Sequence, residues 1–289
     1  MMRIGIALTV VVVAGAHFAR PAEARQIGGI GKGLQIAKKA NDVRELQMTD
    51  AEEQALGKQV SDKIRTRYGV VQDAEVHKYV GLVGLALAQN SSRPALPWTF
   101  IVLDTDGVNA FAAPGGYVFI TTAAVKTAKS EDELANLLAH EVAHVIRGHA
   151  LGNIQKSRYA DVSADLLQAA GTATLSPEQV NQLNSLLEGI INDTLEAMFV
   201  KGYSRDTEFE ADRLGAEYAG KAGYDPTAMR RFLDTLAKQQ ATSEGGFYAT
   251  HPSTKERQDK LAAVASANPA VAVPKVRTSR FQTAVAKLK

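Results

Sequence analysis

Cysteine is absent from this chain. That removes a disulfide framework, a thiol nucleophile, a thiolate metal ligand and a lipid-modified cysteine anchor together. Aromatic residues are sparse, with a single tryptophan, and no basic run is interleaved with them, so nucleic acid is not an expected partner. Neither sign of charge dominates. A formal net charge of +2 is too small to argue for a polyanion or an acidic substrate. What remains is 45% hydrophobic and 22% charged over 289 residues, which is enough for one large or two small domains with an ordinary core. An exported domain without disulfides must rest on such a core.

The N-terminus stands apart from the rest. Arg3 precedes an apolar run from Ile4 to Ala16, and Ala22-Glu23-Ala24 has the form of an A-x-A cleavage signal. The run is shorter than the roughly 20 apolar residues that span a bilayer. Residues 1–24 are expected to be a signal peptide, with a retained anchor as the alternative. The mature chain would start near Arg25 and work in the periplasm or otherwise outside the cytoplasm. In residues 25–47, Gly28-Gly29-Ile30-Gly31-Lys32-Gly33 has the wrong spacing for a phosphate loop, and no Ser or Thr follows Lys32. A flexible leader is the better reading. A main domain over 48–262 and a C-terminal tail over 263–289 complete the expected division.

Local signals predict the elements. Thr49-Asp50-Ala51-Glu52 is a capping box that opens a helix running to about Arg67 and stopping before Gly69. A second helix is expected from Glu75 to Gln89, with His77 as a surface or packing residue. From Trp98 to Thr121 the residues become aromatic and β-branched, with turn signals on either side of Asn109-Ala110-Phe111-Ala112. This predicts a small antiparallel sheet. Its strand of Asn109, Ala110 and Phe111 could bind an extended peptide by main-chain pairing, or belong to an ordinary core sheet. Residues 159–200 suggest two amphipathic segments, separated near Gly171 and restarting at Ser176-Pro177-Glu178; they could form a lid or simply pack.

His140-Glu141-Val142-Ala143-His144 carries the chemistry. On a helix of about 3.6 residues per turn, histidines at i and i+4 face the same way and can bind one metal ion together. Glu141, beside the first, can take a proton from an activated water. The helix is independently specified. Ser130-Glu131-Asp132-Glu133 reads as a capping box, and Leu134, Leu137, Leu138, Val142 and Val145 make an apolar stripe. The pattern is expected to continue to about Gln155, although Gly148 and Gly152 weaken it. A core helix with two incidental histidines is the bland alternative.

A catalytic zinc takes three protein ligands. His149 cannot be the third of a three-histidine motif, because that motif needs Gly and His where Arg147 and Ala150 stand. A downstream carboxylate is the common remaining option. Glu208 is favoured, since Glu208 and Asp212 are four apart and share a helix face. Asp212 could then accept the N–H of a ligand histidine. Ala211, Gly215 and Ala216 are small enough for that helix to approach the metal helix closely. The alternative for the Glu208/Asp212 pair is a solvated helix face with Arg205 and Arg213 as partners; Glu210 suits that role better, since Glu210 and Glu217 lie on another face.

Taken with His140-Glu141-Val142-Ala143-His144 and Glu208-x-x-x-Asp212, two further segments give a resemblance. The chain resembles peptidase family M48, zinc metalloproteases, through Asn109-Ala110-Phe111-Ala112-Ala113-Pro114-Gly115-Gly116 and His251-Pro252-Ser253-Thr254-Lys255-Glu256-Arg257. The likeness covers roughly Thr49 to Leu261. It implies an α+β, mostly helical gluzincin fold with a short sheet, one Zn2+ per chain on His140, His144 and Glu208, and Glu141 as general base. It also implies His251 as an oxyanion donor, with Arg257 a weaker donor or a residue orienting it. A fourth ligand that silences the site, or a packing residue, are the competing roles for His251. Tyr203 is a further oxyanion candidate on nearness to Glu208. Unlike the polytopic members, the chain shows no spanning helix after its leader. Only about thirty residues follow Arg257, too few for an array of repeats, so a minimal exported form is expected.

The sequence therefore predicts an exported zinc endopeptidase acting on unfolded or misassembled proteins, the cellular role resting on the resemblance. A non-catalytic chaperone of the same fold is the alternative; an intact Glu141 speaks against it.

Overall fold

The structure is a computed structural model and describes residues 50–152, 177–196, 198, 202–239, 247–251, 255–267 and 273–288. The expected signal peptide and leader, half of the lid segment (residues 159–176 above all) and Pro252-Ser253-Thr254 lie outside the described residues. The order is α1 (Asp50–Tyr68), α2 (Ala74–Ala88), β1 (Thr99–Leu103), β2 (Ala110–Ala113), a 3-10 turn (Pro114–Gly116), β3 (Tyr117–Thr121), α3 (Thr122–Thr127) and α4 (Glu131–Ile146). Then come α5 (His149–Gly152), α6 (Pro177–Glu196), α7 (Arg205–Lys221), α8 (Ala228–Gln239), α9 (Phe247–Thr250), α10 (Lys255–Ala267) and α11 (Lys275–Ala286).

The mostly helical α+β architecture is the expected one, but the sheet is mixed rather than antiparallel. Its order is β1-β3-β2, with β1 parallel and β2 antiparallel to β3. Burial explains why β3 takes the centre. Strand residues alternate faces, and Val118 and Ile120 enter one core cluster while Phe119 enters the other. All three are fully buried. Phe100 and Val102 of β1 join the first cluster with α2 and α4; Ile101 and Leu103 join the second with Leu56, Val60 and Ile64 of α1. A centre position between two strands satisfies such a strand better than the edge a meander would give it. The β2–β3 hairpin turns at Gly115 and Gly116, with φ of 75° and 92°, values that L side chains avoid. β2 is left at the edge.

α4, which carries His140, Glu141 and His144, is capped as its sequence suggests. Ser130 Oγ accepts the Glu133 N–H at 3.2 Å, and Glu133 reaches back to the N–H of Lys129 at 2.9 Å. Its end differs from expectation. The helix stops at Ile146, because Gly148 adopts φ 61° and turns the chain into the short α5. At its other end, Glu131 and Asp132 are buried acids. Arg280 of α11 pairs with Glu131, and Arg277 approaches Asp132 at 3.4 Å. The stretch expected as a tail thus contains α11, with Phe281, Ala284 and Leu288 buried. Among the described residues, no helix is long and apolar enough to cross a membrane.

Candidate metal centre

Two helices build the centre by close approach. A Cβ at Gly215 on α7 would lie 2.9 Å from the backbone nitrogen of His140, so only glycine lets α7 lie against α4 at that point. Ala211 and Ala216 are likewise small and buried. Ser204 caps α7, accepting the N–H of Thr207 at 3.3 Å, and the first turn then presents Glu208 toward α4. The third element is α9. Its Phe247 N–H bonds the Val108 carbonyl at 2.8 Å, and the chain delivers His251 directly after it.

Four side chains converge: His140, His144, Glu208 and His251. The His140 and His144 Nε2 atoms are 3.0 Å apart, and His140 Nε2 is 3.3 Å from His251 Nδ1. Glu208 Oε2 lies 3.5 Å from His140 Nε2; Glu208 Oε1 lies 3.4 Å from His144 Nε2 and 3.0 Å from His251 Nδ1. All four are at most 1% exposed. One proton can bridge only one pair of these nitrogens, so three ring nitrogens facing one carboxylate are poorly satisfied by hydrogen bonds alone. A small cation satisfies them all. Zinc in a tetrahedron, about 2.0–2.1 Å from N and O donors, needs donor separations of about 3.3–3.4 Å. The observed spacings fit that requirement, and the donor set of imidazoles and a carboxylate suits zinc.

The surroundings hold the donors. Asp212 Oδ1 is 3.0 Å from His140 Nδ1. Arg257, 1% exposed, places Nη1 2.6 Å from Glu208 Oε2, while its Nε and Nη2 reach Asp212 at 2.7 and 2.8 Å. The guanidinium therefore binds both carboxylates in a fork geometry. Burial alone would lower the His140 pKa, but the Glu208 and Asp212 carboxylates outweigh it and hold it up to about 9. Burial holds His144 well below the ordinary imidazole value. Burial would raise Glu208, yet His251 and His140 outweigh it and keep Glu208 well below the usual range.

Glu141 sits beside the cluster, fully buried, with neither carboxylate oxygen hydrogen-bonded among the described residues. His251 Nε2 stands 3.5 Å from one of those oxygens and 3.2 Å from the carbonyl of Ala110. Desolvation raises the Glu141 pKa, which makes it a stronger base than a surface glutamate. Tyr203 stacks on His144 with ring centroids 4.3 Å apart, and its buried hydroxyl has no hydrogen-bond partner among the described residues. Burial, with Glu141 and Glu208 nearby, pushes that phenol up and keeps it protonated.

The expected residues fall into three groups. His140, Glu141, His144, Glu208 and His251 come together, with Asp212 and Arg257 behind them. Asn109, Ala110 and Phe111 lie at or next to edge strand β2; Ala110 touches His251, and Phe111 stacks on Phe119 in the core. Glu210 stays out of the cluster, but it pairs with Arg147 at 2.8 Å and His149 at 3.4 Å, whereas Arg205 and Arg213 were the expected partners. Reading by motif missed His149, whose Nδ1 faces that of His144 at 2.8 Å; its position five residues after His144 was the available signal.

Known proteins resemble the chain over most of its length. Residues 74–265 match the profile of peptidase family M48. The chain is 26% identical over 208 residues to the beta-barrel assembly-enhancing protease of Escherichia coli (strain K12), covering 71% of this chain and 42% of that protein. It is 28% identical over 239 residues to the mitochondrial metalloendopeptidase OMA1 of Arabidopsis thaliana, covering 81% and 43%. With the Schizosaccharomyces pombe enzyme of the same name it shares 32% over 185 residues, 63% and 51% of the two chains. The chain spans 42% to 51% of the length of these curated relatives.

Proposed function

Because the chain belongs to peptidase family M48, we propose that it is an exported zinc endopeptidase that cleaves unfolded or misassembled envelope proteins. The observation that carries this reading is the convergence of three imidazole nitrogens and one carboxylate beside a buried glutamate that makes no hydrogen bond among the described residues. His140, His144 and Glu208 would hold the metal, one per chain. When bound, zinc supplies Lewis-acid polarisation of the scissile carbonyl and acidification of water.

The chain's own residues do the rest. Glu141 takes the proton from the attacking water and returns it to the leaving amine. Tyr203, a protonated donor whose hydroxyl has no hydrogen-bond partner among the described residues, would share the oxyanion's charge. Asp212 fixes the His140 tautomer, and Arg257 holds Glu208 and Asp212 in register. An extended substrate would pair with edge strand β2, as strand addition requires.

His251 gives the centre a resting form. Its Nδ1 occupies a fourth donor position and its Nε2 covers the Ala110 carbonyl, so displacing it would open the metal and the substrate strand together. Once displaced, it can assist as a second oxyanion donor. His251→Ala is expected to keep its zinc and to raise basal peptide cleavage. A loss of about 10²–10³-fold, the size of one oxyanion donor, would make assistance its main role. Unchanged zinc, peptide and protein cleavage would leave it a packing residue.

Zinc uptake should also depend on pH through His140. Its pKa of about 9 without metal means that zinc must displace a proton at neutral pH. Apparent affinity should therefore rise by about tenfold per pH unit from 7 toward 9 and flatten above, as measured by chelator competition. A flat profile across that range would contradict a proton on His140.

The defining test is metal analysis with cleavage of a casein-type unfolded substrate, with and without a chelator. Stoichiometric zinc and chelator-sensitive cleavage are expected. Client binding without cleavage would return the chain to the chaperone reading.

A further inference from the structure

His149 lies outside the donor cluster and yet touches it from behind. Gly148 ends α4 with its left-handed turn, and α5 swings the His149 ring back against His144. The two Nδ1 atoms are 2.8 Å apart, with ring planes at 73°. Two ring nitrogens bond at that distance only if one of them carries the proton. His144 turns its Nε2 toward the cluster and must offer a lone pair there, so its proton is on Nδ1. His149 then accepts at Nδ1 and carries its own proton on Nε2, which faces Glu210 Oε2 at 3.4 Å. The other Glu210 oxygen takes the N–H of Arg147 at 2.8 Å. Every proton from Arg147 to His144 is thereby assigned.

We propose that His149, backed by Glu210, is a positioning residue that fixes the tautomer and ring orientation of His144. It does for the second histidine what Asp212 does for the first, though by a different device. Asp212 is a buried anion standing 3.0 Å from His140 Nδ1, whereas the His149 relay puts a neutral ring against His144 and carries the charge out to Glu210. The Glu210 side chain is 32% exposed and Arg147 51%. The two ligand histidines thus differ in how strongly their outer nitrogens are polarised, and the relay behind His144 runs out to more exposed side chains than Asp212, which is 6% exposed.

This inference rests on the reading of the cluster as a zinc site, and the test separates the two. Zinc dissociation constants of the full chain are measured by chelator competition, beside thermal unfolding of the metal-free protein. His149→Ala should weaken zinc by about 10–100-fold, as loss of an orienting partner does, while metal-free unfolding stays near wild type. His149→Asn, whose amide oxygen can accept from His144, should recover most of that loss. Glu210→Ala should weaken zinc less than His149→Ala does. Equal losses in His149→Ala and His149→Asn, or unchanged affinity in both, would overturn the relay. If His149→Ala fails to fold, His149→Asn and Glu210→Ala decide alone: wild-type affinity in the first with weakening in the second supports the relay, and any other pairing overturns it. A wild-type chain that binds no zinc overturns the metal reading and the relay together.

Discussion

Glu141→Gln is expected to keep its zinc and its fold while losing at least about 10²–10⁴ of its cleavage rate, the contribution of a general acid–base group. The substitution keeps shape and volume and removes the basic oxygen. Both carboxylate oxygens lack hydrogen-bond partners among the described residues, and the residue is fully buried. A neutral amide there removes a buried charge, so the variant should unfold no earlier than wild type. Metal content, thermal unfolding and cleavage of an unfolded substrate would be measured on one preparation. Wild-type turnover in a zinc-loaded Glu141→Gln protein would end the proposed mechanism.

Loss of zinc is the second large effect. Glu208→Ala should empty the centre, because it removes the only carboxylate of the four-residue group. It also leaves Arg257 with Asp212 as its remaining carboxylate in the centre. Breaking a buried pair from one side typically costs about 3–5 kcal/mol, so stability should fall as well. Glu208→Gln separates the two effects by retaining an oxygen for Arg257. It should hold zinc poorly but unfold closer to wild type. Glu210→Ala, the control on the neighbouring face, should still fill its site at excess zinc. Full zinc content in both Glu208 variants would put the third ligand elsewhere.

Legibility followed distance along the chain. The pairs His140/His144 and Glu208/Asp212 are four residues apart, and helical periodicity alone puts each pair on one face. The Ser130 cap and the restart at Pro177 were readable for the same reason. The central place of β3 was not, since antiparallel and parallel neighbours share one strand pattern and only the two-sided core decides between them. Gly148 was read as a weak helical residue, whereas its positive φ ends α4. Arg257 reaches Glu208 and Asp212 across more than forty residues, and no local signal encodes that. Glu210 was read as solvated from its face, which is half right; what that view cannot show is a histidine arriving from the next turn of chain.

The clamp on α4 has a consequence in time. Arg280 meets Glu131 across 149 positions, and His251 meets His140 across 111. Contacts so distant in sequence close late, after the loops between them have lost their freedom. A chain still being made holds Glu141 and its two histidines long before it holds Glu208, His251 or α11. If it is exported unfolded, it travels without a working blade. Its cutting edge is assembled only at the destination, where folding brings the last helices home.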